Sequence, residues 1–350
     1  MDVALFVTGF GVFLAVLFAW SFSTLTKERW QIIGAVPVKK NPQGDWTGIN
    51  FTYYGFFNAS ACTLATVIFL LLLGAMQVPL RISVVFFVIL MAVCMPAARL
   101  VAYWVEKKWY TFSIGGAAFV GIVLTPWLVI GLRSVFDSWA NSSLQVVPVL
   151  AAISIAYAFG EGVGRLACIS FGCCYGKPLS DVHPLLRKVF RHCNFVFDGS
   201  TRKIEYAHGF AGIQVVPVQA LTAVIYCGTG LICLYWYSNS HFTAAFIVSM
   251  AITQAWRFGS EFLRADYRGE SRISKYQWMA VLAIFYSAII AVLFPAVPTV
   301  GPSIAAGLKS LWQPLPILFI QLLWIGVFFY TGRSQVTGSQ ISFHVIRDRI

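Results

Sequence analysis

Long apolar runs broken by short polar stretches dominate the chain. Runs near 4–22, 54–77, 82–104, 115–133, 147–170, 214–236, 242–263, 277–299 and 312–331 approach or exceed the about 20 residues that a helix needs to cross a ~30 Å hydrocarbon core. They predict nine transmembrane helices and an all-α, polytopic membrane bundle. The short alternating segments of a transmembrane β-barrel are not found. The fifth and seventh runs carry charges, and the ninth contains Pro314 and Pro316, which blurs its start. The first run opens with Met1-Asp2 rather than a basic stretch, and no small-residue cleavage site follows it. It is expected to be retained rather than removed as a signal peptide.

Composition agrees: 59% hydrophobic residues, 11% charged and a mean hydropathy of +0.76 exceed what a water-soluble fold could bury. The longest polar insertion, Lys177 to about Gly212, is too short for an independent core. It holds Arg187, Lys188, Arg191, Arg202 and Lys203 among aromatics. Beside a membrane such a patch is expected to lie on lipid head groups, and no nucleic-acid partner is expected. The net charge is +12, and most of the lysines and arginines fall after the first, third, fifth, seventh and ninth runs. Taken alone, the positive-inside rule puts that face in the cytoplasm and the N-terminus outside.

Charges inside a membrane are costly, about 2.5–3.5 kcal/mol each at the centre, so they usually have a partner or a task. Arg99, Arg165 and Arg257 lie inside apolar runs. Glu161 and Arg165 are four apart, as are Arg257 and Glu261, with Arg264 three further on. On helices each set would share one face as an ion pair. Two such helices, each with an arginine near the same membrane edge, predict a polar pocket. Arginine's planar fork suits a phosphate, and two can clamp one. Gly160, Gly164, Cys168, Gly172 and Gly176 recur every four residues. On a continuous helix they would form a ridge that a backbone or a lipid chain can approach.

The eight cysteines lack the spacing of a disulfide framework. Vicinal Cys173 and Cys174, taken with His183, His192 and Cys193, match no zinc spacing. No metal and no cofactor are expected.

The stretch "GEGVGRLACISFGCCYGKP" (160–178) resembles the signature of the prolipoprotein diacylglyceryl transferase family in its Cys-Cys-Tyr-Gly form. "YYGFF" (53–57), "AARLVAYW" (97–104), "SIGGAAFVG" (113–121), "VPVQALTA" (216–223) and "RFGSEFLRADYRGE" (257–270) follow in the family's order. The resemblance implies a seven-helix core over roughly 51–300, with an added helix and basic loop in 1–50 and an added helix and tail in 301–350. It implies a bacterial inner-membrane enzyme that moves diacylglyceryl from phosphatidylglycerol to the lipobox cysteine thiol of a prolipoprotein. Arg165 and Arg257 would then hold the phosphate and Glu261 would orient Arg257. Tyr54 would line the cavity, and Gly172 and Gly176 would give the backbone room. Arg99, Arg264 and Tyr175 complete the candidate phosphate ligands.

Three departures bear on this. Ile114 stands where the family commonly has histidine, Ala220, Leu221 and Thr222 replace the usual Leu, Tyr and Glu, and Thr253 replaces a tyrosine. An imidazole base is therefore missing, and Glu161 is the nearest remaining candidate base. A relative that transfers to another acceptor, and a non-catalytic lipid-binding or transport protein, fit the same residues. The family mapping places the basic face outside, opposite to the charge rule.

Overall fold

The computed structural model describes residues 2–107, 114–136, 144–266, 273–296 and 301–350. The chain begins with α1 (Val3–Thr24), capped by Asp2, whose carboxylate accepts from the Ala4 amide at 2.9 Å. A hairpin follows, β1 (Ile32–Lys40) and β2 (Trp46–Thr52), and Thr52 caps α2 (Tyr53–Ala75). Next come α3 (Leu80–Glu106), α4 (Ile114–Phe136) and α5 (Val146–Phe171). Two short surface helices, α6 (Pro184–Phe190) and α7 (Lys203–His208), precede α8 (Val218–Ser238) and α9 (Phe242–Ser260). A Ser274–Gln277 capping box starts α10 (Lys275–Leu293). The chain closes with α11 (Ile304–Leu311), α12 (Pro314–Gly332) and β3 (Arg333–Ile341).

Among the described residues eight helices are long and apolar enough to span a membrane: α1, α2, α3, α4, α5, α8, α10 and α12. The seventh predicted run, 242–263, forms α9, which is 19 residues long and carries Thr253, Gln254 and Arg257. It joins the same two faces. Its start follows the tight turn after α8, and Arg264, beyond its end, bridges to Gly176 just past α5. The predicted run 214–236 starts late, at Val218, because Val215 is drawn into backbone bridges with Pro178 and Phe195.

The core is built on α5, which is 78% buried over its apolar window, against 11% for α1 and for α12. Small residues let α5 approach its neighbours. A Cβ on Gly160 would come 2.8 Å from Ala65 of α2, and one on Gly162 would come 2.6 Å from Cys227 of α8. The helical part of the glycine ridge, Gly160 against Ala65 and Gly164 against Ala61, thus packs protein against protein. It also stops at Phe171, where α5 ends, so Gly172 and Gly176 lie off the helix.

Three strands form an antiparallel sheet in the order β1-β2-β3, which the apolar pattern did not predict. The sheet ties the loop after α1 to the tail after α12. Hairpin, signature turn, α6, α7, Arg264 and tail therefore share one face, the one that collects most of the lysines and arginines.

Candidate functional site

The site grows from the middle and end of α5. Glu161 and Arg165 form the ion pair that their spacing predicts, with side chains only 6% and 14% exposed. Arg165 Nη1 also lies 4.0 Å from Cys168 Sγ, and its buried Nε meets no protein acceptor. One turn before Glu161, the Tyr157 ring stands 6.0 Å from that of Tyr226 on α8, whose hydroxyl donates to the Thr253 carbonyl of α9 at 2.8 Å. Arg257 of α9 interacts electrostatically with Tyr157, Tyr226, Glu161 and Glu261. A buried polar cluster thus joins three helices.

The Gly115-Gly116 pair at the start of α4 has a steric reason. The Arg257 guanidinium lies against Gly115 so closely that a Cβ there would fall 1.5 Å from Nη2, while one on Gly116 would fall 2.5 Å from Val101. Arg257 also lies over the Tyr276 ring, 5.9 Å from its centroid. Residue 114 immediately precedes this contact; its side chain is outside the described residues.

The signature turn is stitched down by the main chain. Gly172 caps α5 in the left-handed conformation (φ +70°), and the Cys173 amide donates to the Cys168 carbonyl at 3.0 Å. Gln219 Nε2 donates to the Cys173 carbonyl at 2.9 Å. Further on, the Ala265 amide donates to the Tyr175 carbonyl and the Lys177 amide to the Leu263 carbonyl, at 3.1 and 2.9 Å. A Cβ on Gly176 would fall 2.3 Å from the Val216 carbonyl oxygen, so only glycine fits.

The remaining predicted residues fall into three places. Tyr54, half-buried, sets its ring tilted against Phe171 at 5.5 Å and lies within electrostatic reach of Cys168, Cys173, Cys174 and Glu161. Tyr175 is fully buried with its hydroxyl on His208 Nδ1, and burial pushes its phenol pKa up. Arg99 is exposed on α3 and donates to the Tyr330 hydroxyl of α12. The helical spacing assumed for Arg257, Glu261 and Arg264 holds as far as Glu261, which caps α9 in helical conformation, and fails at Arg264. Because α9 ends at Ser260, Glu261 opens a 3-10 turn and Arg264 is extended, paired through two 2.8 Å hydrogen bonds with Asp266. Glu261 still acts electrostatically on both arginines.

Sequence reasoning missed Arg202, Gln219 and the part played by Cys168. Arg202, fully buried, donates to the carbonyls of Leu25, Ile169 and Lys27 at 3.1, 3.0 and 2.6 Å. Burial lowers its pKa to about 10. The sequence offered no signal for it beyond a basic residue in a loop.

An apolar cavity of about 230 Å³ lies between α2, α3, α4, α5 and α9, lined in part by Cys62, Phe69, Met91, Ile153 and Met250. Tyr157 also lines it, one turn from Glu161. Fold and site therefore define a multi-pass membrane protein with an arginine-rich polar cluster beside an apolar cavity.

Residues 45–293 match the family described as prolipoprotein diacylglyceryl transferase, and the chain belongs to that family. Over 158 residues it is 28% identical to phosphatidylglycerol–prolipoprotein diacylglyceryl transferase 2 of Clostridium perfringens (strain 13 / Type A). That alignment covers 44% of this chain and 52% of the relative, so the chain spans about half the relative's length. No solved structure matches.

Proposed function

We propose that this protein transfers the diacylglyceryl group of phosphatidylglycerol to the lipobox cysteine thiol of a prolipoprotein in the bacterial inner membrane. The observation that carries the reading is the convergence of Arg165, Glu161 and Arg257 from α5 and α9 within the family-matched span, beside an apolar cavity. An acyl chain of the donor would enter the cavity while its phosphate met Arg165 and Arg257. The acceptor thiol gives its proton to solvent, its sulfur forms a bond to the glycerol carbon, the carbon–oxygen bond breaks, and glycerol phosphate leaves with the electron pair. Paired arginines stabilise the charge gathering on that leaving oxygen.

Ile114, Thr253 and Ala220–Thr222 favour a second reading, in which the same lipid is passed to a different acceptor. Purified protein, labelled phosphatidylglycerol and a lipobox peptide separate the two. Label on the peptide thiol that disappears with Arg165→Ala supports the first reading. Lipid binding without transfer sinks it and favours the second. A gain of transfer in Ile114→His would show that a missing imidazole limits the rate.

A further inference from the structure

Three thiols meet at the C-terminal end of α5. Cys168 stands in its last turn, and the cap at Gly172 folds the chain back so that Cys173 and Cys174 reach the same place. The three Sγ atoms all lie within 4.8 Å of one another. The turn is held by the Cys173–Cys168 backbone bond and by Gln219. Cys174 itself adopts φ +55°, a conformation that a non-glycine residue keeps only where its surroundings enforce it. None of the eight cysteines forms a disulfide, so no disulfide accounts for the cluster.

We propose that Cys168, Cys173 and Cys174 form a site for a soft divalent metal ion of the zinc class, bound by three thiolates with a fourth position open. Zinc–sulfur bonds of about 2.3 Å require sulfurs roughly 3.8–4.0 Å apart, a spacing inside the limit of the cluster. An all-sulfur donor set selects soft ions over magnesium or calcium. Three thiolates and a doubly charged ion leave one net negative charge. Arg165, 4.0 Å from Cys168 Sγ, and Arg264, which interacts electrostatically with Cys174, offset it. The C-terminal end of α5 adds a partial negative charge that favours a cation.

The open position gives the metal a task, and this step rests on the transferase reading. An acceptor thiol bound there releases its proton to solvent and becomes a metal thiolate. Its sulfur then attacks the glycerol carbon while the phosphate departs toward Arg165. Deprotonation by the metal replaces the imidazole that position 114 lacks.

The test uses the full chain in detergent, reduced and stripped of metal, titrated with Co²⁺ as a spectroscopic probe and then with Zn²⁺ in competition. One equivalent should bind with thiolate charge-transfer absorption and shield Cys168, Cys173 and Cys174 from alkylation. Serine at any of the three should weaken binding about tenfold or more, whereas Cys193→Ser should not. Substoichiometric binding, shielding of other cysteines, or a disulfide within the cluster of the isolated protein overturns the site. If the serine variants do not fold, shielding in the unaltered chain decides. A lipobox peptide should change the cobalt spectrum; an unchanged spectrum, or full transfer by metal-free protein, overturns the thiolate step and leaves the transferase intact. Metal binding without any transfer overturns the transferase reading instead.

Discussion

Arg202 and Arg165 sit at the same end of α5 and differ in what meets their donors. Arg202 caps the short helix α7 and spends its guanidinium on three main-chain carbonyls, tying the end of α1 to the end of α5. Arg165 has one carboxylate, a sulfur at 4.0 Å and the aromatic cluster of Tyr157 and Tyr226 nearby. The Nε of each lacks a protein acceptor, so counting donors does not separate them. The kind of acceptor does. Carbonyls belong to the fold and are there whether or not a ligand is, whereas a single carboxylate leaves a planar fork able to turn toward a phosphate. A buried arginine whose partners are all backbone holds structure; one whose partner is a side chain is positioned for exchange.

Removing each cation should separate the two roles. The largest effect expected is on chemistry: Arg257→Ala should lower transfer by about 100-fold or more while the thermal midpoint in detergent moves little. Loss of both together would put Arg257 with Arg202 as a structural cation. Arg202→Met should do the reverse. It leaves three carbonyls without their donor and should cost about 3 kcal/mol, a fall of about 4 °C in midpoint for a chain of this length, with transfer per folded molecule retained. If transfer by the folded fraction collapsed instead, the knot at Arg202 would have to be part of the site.

A subtler test keeps both arginines. In Gly115→Ala the new methyl would fall 1.5 Å from Arg257 Nη2, so the guanidinium must move. Transfer should drop about tenfold, in keeping with the sensitivity of catalysis to ångström-scale misplacement. In an Arg257→Ala background the same change should cost nothing further, because the two act through one group. Additive losses in the double variant would mean that Gly115 matters for packing alone.

The helices and the Glu161–Arg165 pair were legible because they are local. A run of twenty apolar residues can satisfy its backbone in a membrane only as a helix, and four-residue spacing fixes neighbours on it. The β3 strand was not legible, since its partner β2 lies nearly the whole chain away and its own residues alternate only weakly. Pro37 in β1, next to a register shift, weakens the strand signal further. The local rule also misled where a helix stopped. Arg264 was spaced as if α9 continued past Glu261, and Gly172 and Gly176 as if α5 continued past Phe171. The thiol cluster was hidden for the same reason. Cys168 and the vicinal pair meet only because the chain reverses at Gly172, and a search for zinc spacing with histidines looked on the wrong side of the turn.

The smallest effect expected concerns the third intramembrane arginine. Arg99 is exposed on α3, and its recorded partner among the described residues is Tyr330 on peripheral α12. By the rule drawn from Arg202 and Arg165, a side-chain partner alone would mark it as exchangeable, but Arg99 lies about two turns from the end of α3, where a long side chain reaches the interface and the cost that makes an intramembrane charge informative falls. Arg99→Gln should therefore change stability by about 0.5 kcal/mol or less and leave transfer unchanged, measured in the same detergent and the same assay as Arg257→Ala. A tenfold fall in transfer at an unchanged midpoint would return Arg99 to the phosphate-binding set and show that a lipid can recruit an arginine from the rim.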